Sequence, residues 1–299
     1  MKKFLGVFCA AIFLLSNITV VCATTDTDTA ANVEAASIYM DAEEKTTFVE
    51  RMDNVTSIAL ATGKIITENR ETVSDLIRDI TFATGSEKAN LEKELNAYGV
   101  YVYNSEADTE AVQPRSGSGD VTLQAPMVVY DSILKQWVVT CGGHWNNYNW
   151  ADEIFISYGG PEAFGVGYTH TTGTYTSSVV RASAYITDQT SEYTVSTQNR
   201  SDGDGSKGFG FRLQDYRYNT EWNDLMYVGY EWYGSCTYDL DFAYYSGIAT
   251  AYYIHTWNTT TISSITFGYD GKAAGIEVQL SSQANSFLAY SSDKRFGMA

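Results

Sequence analysis

Apolar residues follow two different rhythms along this chain. From Asp41, Phe48, Met52, Val55 and Ala59 recur at helical spacing, as do Val73, Leu76, Ile77 and Ile80, and then Leu91, Leu95 and Tyr98. Three helices are predicted. Gly63 and Gly85 interrupt the runs, Ser86 is placed to cap the third helix, and Gly99 stands where a C-cap glycine belongs. Gly99-Val100-Tyr101-Val102-Tyr103 then reads as one strand.

After residue 120 the rhythm changes to short runs of β-branched and aromatic residues between Gly, Asn and Asp clusters. Strands are predicted over 121–124, 127–131, 136–141, 153–158, 164–170, 174–187, 191–197, 208–215, 225–232, 237–245, 248–256, 261–269 and 275–280. Asp270-Gly271 marks a tight hairpin between the last two. No motif recurs at a fixed period, so neither propeller nor solenoid is indicated. The expected fold is mainly β, an antiparallel two-sheet sandwich of jelly-roll-like type, preceded by a small α-helical segment.

The ends and joints divide the chain further. Lys2 and Lys3, the apolar run Phe4 to Leu15 and Val21-Cys22-Ala23 predict a signal peptide over 1–23. A flexible acidic tail is expected over 24–40, the helical segment and its strand over 41–104, a Ser/Gly-rich linker over 105–120, and the sandwich over 121–299. No later stretch has the roughly 18 apolar residues of a membrane span. The protein is expected to be secreted.

Composition narrows the partners. The formal net charge of −17 repels phosphate backbones and anionic membranes, which argues against nucleic acid. All six tryptophans, and every tyrosine except Tyr39, Tyr98, Tyr101 and Tyr103, follow residue 120. Such rings suit wet recognition surfaces. With the leader removed, Cys141 and Cys236 are the remaining cysteines, and one disulfide between them is expected in an exported chain.

Two ring-rich segments are the candidate ligand contacts. Trp145, Asn147, Tyr148 and Trp150 set stacking faces beside amides, and Tyr216, Arg217, Tyr218 and Trp222 repeat that chemistry with a guanidinium. Alternation places Tyr253, His255 and Trp257 on one strand face, with Trp257 a further contact candidate. Carboxylates in 215–241, chiefly Glu221 and Glu231, are the candidate acid pair of a carbohydrate-active hydrolase or lyase. The clustered E-x-D-x-x-E pattern of laminarinase-like jelly-roll hydrolases is absent. Asp202 and Asp204 alternate with glycines in a candidate calcium loop that lacks the EF-hand pattern. Otherwise no metal or cofactor is indicated, because His144, His170 and His255 are widely separated.

These features favour a secreted, non-enzymatic binding protein that recognises an extracellular protein or glycan. The hydrolase or lyase is the alternative. A pore-forming toxin is a lesser one, drawn from the Ser/Thr-rich stretch between Thr171 and Thr197.

Overall fold

A computed structural model describes residues 44–103, 119–148, 150, 160–221, 223–268, 275–282 and 285–297. The predicted leader and tail, most of the linker, the strand at 153–158, the Asp270-Gly271 turn and Trp222 lie outside the described residues.

Three helices come first: α1 (Lys45–Ala61), α2 (Glu71–Phe82) and α3 (Gly85–Ala97). In α2 the predicted stripe of Val73, Leu76, Ile77 and Ile80 is wholly buried, against Leu95 and Tyr98 and against Met127, Val129 and Val138 of the sheet below. Helix α1 departs from its predicted stripe. Phe48 and Met52 are buried, but Val55 is exposed and Thr56 takes the inward place, where its hydroxyl bonds those of Tyr101 and Ser132 at 2.9 and 2.6 Å. Thr84, not Ser86, stands at the N-cap of α3.

The strands are β1 (Val100–Val102), β2 (Val121–Asp131), β3 (Gln136–Trp145), β4 (Glu162–Thr172), β5 (Val179–Thr187), β6 (Thr194–Thr197), β7 (Gly208–Leu213), β8 (Tyr216–Asn219) and β9 (Asp224–Tyr227). They continue as β10 (Glu231–Tyr238), β11 (Ser246–Thr256), β12 (Ile262–Phe267), β13 (Ile276–Leu280), β14 (Ser286–Tyr290) and β15 (Lys294–Arg295). One sheet runs β1-β2-β3-β10-β5-β6; the other runs β14-β11-β4-β7, with β15 also on β11. All these pairings are antiparallel, and β8-β9 and β12-β13 form two separate hairpins. The fold is therefore the expected antiparallel sandwich with a helical segment on its N-terminal side.

Where the predicted strands fail, the reason is local. The predicted break at 233–236 falls inside β10; instead Val228 and Gly229 separate β9 from β10, and Asp239 ends β10. Its carboxylate accepts from the Asp241 N–H and caps a 3-10 turn over Leu240–Tyr244.

The interlayer core is aromatic. Trp232 stacks on Tyr253 with ring centroids 3.8 Å apart, and Tyr238 stacks on Phe242 at 4.4 Å. Gly142 and Gly143 permit close approach from opposite sides of β3. A Cβ at Gly142 would stand 2.7 Å from the Phe82 ring, and one at Gly143 would stand 2.5 Å from the Trp232 ring.

The expected disulfide is corrected: Cys141 and Cys236 are free, buried thiols. Cys141 stands opposite Gly234 and Cys236 opposite Val139, so the two are diagonal neighbours on adjacent strands. Diagonal positions lie about 7–8 Å apart, beyond the usual disulfide reach of about 7 Å between Cα atoms. Burial raises both thiol pKa values, that of Cys236 to about 12, which also disfavours the thiolate a nucleophile requires. Two thiols should titrate only after denaturation, and reductant should leave the unfolding midpoint unchanged. A midpoint that falls on reduction would restore the disulfide.

Candidate functional site

Strand parity assigns the two faces of β10. Trp232, Gly234, Cys236 and Tyr238 point into the sandwich, so Glu231, Tyr233, Ser235 and Thr237 point outward. Residues directly opposite share a face, so the outward partners on β5 are Thr187, Tyr185, Ser183 and Arg181. The row at one end extends further, from Thr122 through His144, Glu231 and Thr187 to Thr194 across five strands. The next row carries Gly142, Tyr233, Tyr185 and Ser196.

The two halves of this outer face differ. Over β2 and β3, Met127, Val129 and Val138 are buried under α2 and α3. Over β10 and β5 the outward positions are polar: Glu231, Ser235, Ser183 and Tyr185 are half-buried and Arg181 is exposed, whereas Thr187, Tyr233 and Thr237 are buried. Helix α2 forms the boundary. Phe82 seats on Gly142 and meets the Tyr233 ring at 6.3 Å, and Tyr233 meets Tyr185 at 5.7 Å.

Side-chain bonds order this polar half. Tyr185 Oη donates to Glu231 Oε1 at 3.1 Å, the Ser183 and Ser235 hydroxyls lie 3.0 Å apart, and Arg181 Nε donates to Thr237 Oγ1 at 3.2 Å. Burial raises the Glu231 carboxyl above the ordinary range, while Tyr185, His144 and Arg78 pull it back down. The Tyr185 hydroxyl is raised by burial and then by the Glu231 charge. The half-buried Tyr185 ring beside a carboxylate, a guanidinium and several hydroxyls can contact a ring-shaped ligand while those groups bond its polar atoms.

The sequence-predicted contacts fall at the end of the sheet that carries the Glu231 row, but with unequal exposure. Trp145 is a correction: its ring is buried, and its Nε1–H donates to Tyr253 Oη at 3.1 Å. Trp150 is likewise buried, 6.0 Å from the Tyr230 ring. Their indoles fill the interior because β3 points Trp145 inward, so neither offers a face to a ligand. Asn147 donates to Asp120 at 2.8 Å, and Tyr148 is 68% exposed. In the second segment Tyr216 is half-buried, Arg217 lies over the Tyr193 ring at 5.4 Å, and exposed Tyr218 bonds Asn223. Trp257 is half-buried, 5.4 Å from His255. Tyr253 and His255 are core residues, which resolves that face against a ligand platform.

The two candidate carboxylates have different neighbours. Glu231 interacts with Tyr185, His144 and Arg78, whereas exposed Glu221 on the β8-β9 turn lies near Tyr193. The calcium loop is also corrected. Both Asp202 oxygens bind the Arg212 guanidinium, at 2.7 and 2.6 Å, and Arg212 also reaches the Ile262 carbonyl at 2.7 Å. Asp204 is held by Ser206; burial opposes its charge, but the Ser206 hydroxyl and N–H outweigh it and lower its pKa. Among the described residues no group of three metal-ligating side chains converges.

Arg78, Tyr185 and Tyr233 were not singled out by sequence. A signal existed, because Arg181, Ser183, Tyr185 and Thr187 alternate with Ala182, Ala184 and Ile186. That alternation marks a strand with one polar face.

No known family matches the chain, and no curated protein does. Among solved structures, a chain described under "pH-induced modulation of Streptococcus parasanguinis adhesion by Fap1 fimbriae" is similar over 67% of this chain and 96% of that one. Identity is 10% and the TM-score 0.27, too low to bear on fold or function. Among the described residues no helix is long and apolar enough to cross a membrane.

Proposed function

We propose that this chain is an exported, non-enzymatic binding protein, and that the polar half of its outer sheet face recognises an extracellular glycan or protein. The observation that carries the reading is the convergence of Tyr185, Glu231 and Arg78 on one half-open face, with the buried Tyr233 ring packed against Tyr185. Rigid strands, rather than loops, hold these groups, which lowers the ordering cost of binding.

Arrays of immobilised glycans and extracellular proteins provide the test, with wild type beside Tyr185→Ala and Glu231→Gln. Specific binding by the wild type, weakened about tenfold or more in Tyr185→Ala, is expected, since a lost aromatic contact costs about 1–3 kcal/mol. Glu231→Gln should weaken binding without altering the unfolding midpoint strongly. Absence of specific binding on both arrays, or binding unchanged in both variants, would overturn the assignment.

A further inference from the structure

The outer face of β10 and β5 has a direction as well as a composition. Its polar pairs succeed one another along the strands: Glu231 with Thr187, Tyr233 with Tyr185, Ser235 with Ser183, Thr237 with Arg181. Six residue steps separate the first pair from the last, a run of about 20 Å at the strand rise of about 3.4 Å per residue. The pairs are tied across the strands at three levels, by Tyr185 to Glu231, Ser183 to Ser235 and Arg181 to Thr237. On β6, Thr194 and Ser196 widen the same polar strip beside Thr187 and Tyr185.

We infer that this ladder is a track for a linear, neutral glycan lying along β10 and β5, engaged at several successive sugar rings. The inference rests on the binding function proposed above and names its ligand class.

Each feature of the strip selects against another occupant. None of these outward positions is aliphatic, so an amphipathic helix or lipid chain would bury its apolar face on hydroxyls. A polyanion meets a chain of formal charge −17. A polycation meets exposed Arg181 at one end. A neutral polyol matches donors and acceptors of both kinds, and Ser and Tyr hydroxyls serve as either. The half-buried ring of Tyr185, packed against the buried Tyr233, supplies ring contact at the Glu231 end, and Arg181 offers exposed hydrogen-bond donors about two ladder rungs further on.

This arrangement makes a length-dependent prediction. Calorimetric titration would use two-unit and six-unit oligomers of neutral β-1,4-, β-1,3- and α-1,4-linked glucose and of β-1,4-linked N-acetylglucosamine. The six-unit form of the preferred linkage should bind roughly tenfold or more tighter than the two-unit form. Arg181→Ala should remove most of that gain while leaving the affinity for the two-unit form unchanged. Tyr185→Ala should weaken both lengths. Arg181 is exposed, so its variant should fold; an unchanged unfolding midpoint checks this.

Equal affinity for both lengths would overturn the track while leaving the binding function standing on whatever the arrays detect. An unchanged six-unit affinity in Arg181→Ala would do the same. If no oligomer in the panel binds, the track falls together with the glycan branch of the proposed function, and only protein recognition survives.

Discussion

Replacing Lys45 with alanine is expected to cost the fold about 3 kcal/mol or more, from lost packing and two lost hydrogen bonds to carbonyls. Lys45 opens α1, yet its side chain is only 2% exposed. Its Nζ donates to the Phe242 carbonyl at 2.7 Å and to the Tyr245 carbonyl. The ammonium also lies over the rings of Phe242, Phe296 and Trp137, at 4.0, 4.9 and 5.5 Å from their centroids. Cation–π attraction offsets part of the desolvation that burial imposes. Three layers of aromatic core converge there, so a void at Lys45 would loosen α1 and the 3-10 turn together.

The pH dependence of this residue has a definite sign. Burial lowers the Lys45 pKa well below the ordinary lysine range. The unfolded chain therefore binds the proton more tightly than the folded one, and the contribution of Lys45 to stability falls as pH drops below the unfolded pKa of about 10.4. Lys45→Met keeps the stem and removes the charge, so it should lose less than alanine. Raising pH toward 10.4 should shift the balance from Lys45→Met toward wild type. Denaturant titration at several pH values reads both effects; a loss under about 1 kcal/mol in Lys45→Ala would contradict the cage.

Glu162→Ala should destabilise the protein by about 3–5 kcal/mol, the cost of removing one partner from a buried pair. Glu162 is 1% exposed at the start of β4, with its Oε1 3.0 Å from His255 Nδ1 and 3.3 Å from the Thr256 amide nitrogen that donates to it. Tyr253 extends the network. An indole N–H can only donate, and that of Trp145 points to Tyr253 Oη, which leaves the Tyr253 proton for Glu162. The set ties β3, β4 and β11 together inside the sandwich, close beneath the Glu231 row. Denaturant midpoints for Glu162→Ala and Glu162→Gln would test it. Glutamine keeps an acceptor and should lose markedly less; equal, small losses would show that the network is not stabilising.

The sheet architecture was legible because strand parity survives in most runs. The alternation in 181–187 carries the inward and outward faces of β5, β11 is buried on both faces, and the stripe of α2 was read correctly position by position. Other features were hidden for physical reasons. Gly234-Ser235-Cys236 reads as a break between two strands yet lies inside β10, whose far boundary depends on an Asp239 cap that propensity does not reveal. Lys45 reads as an ordinary solvated lysine, since its cage comes from residues 137, 242 and 296, far along the chain. Asp202 looked like a metal ligand because its partner Arg212 is ten residues away, on β7. Ring counts drew attention to the end of the sandwich that carries Tyr148, Arg217 and Tyr218, yet placed weight on Trp145 and Trp150, whose indoles fill the core. Aromatic density marks core and surface alike, and only parity distinguishes them.

Amide chemical-shift mapping tests the central claim most directly, using isotope-labelled protein titrated with the strongest array ligand. The account predicts that the largest shifts fall on Ser183, Tyr185, Tyr233 and Ser235, with smaller ones at Arg78 and Arg181. Shifts confined to the exposed rings of Tyr148, Tyr218 and Tyr244, with the β10 and β5 amides unmoved, would contradict it.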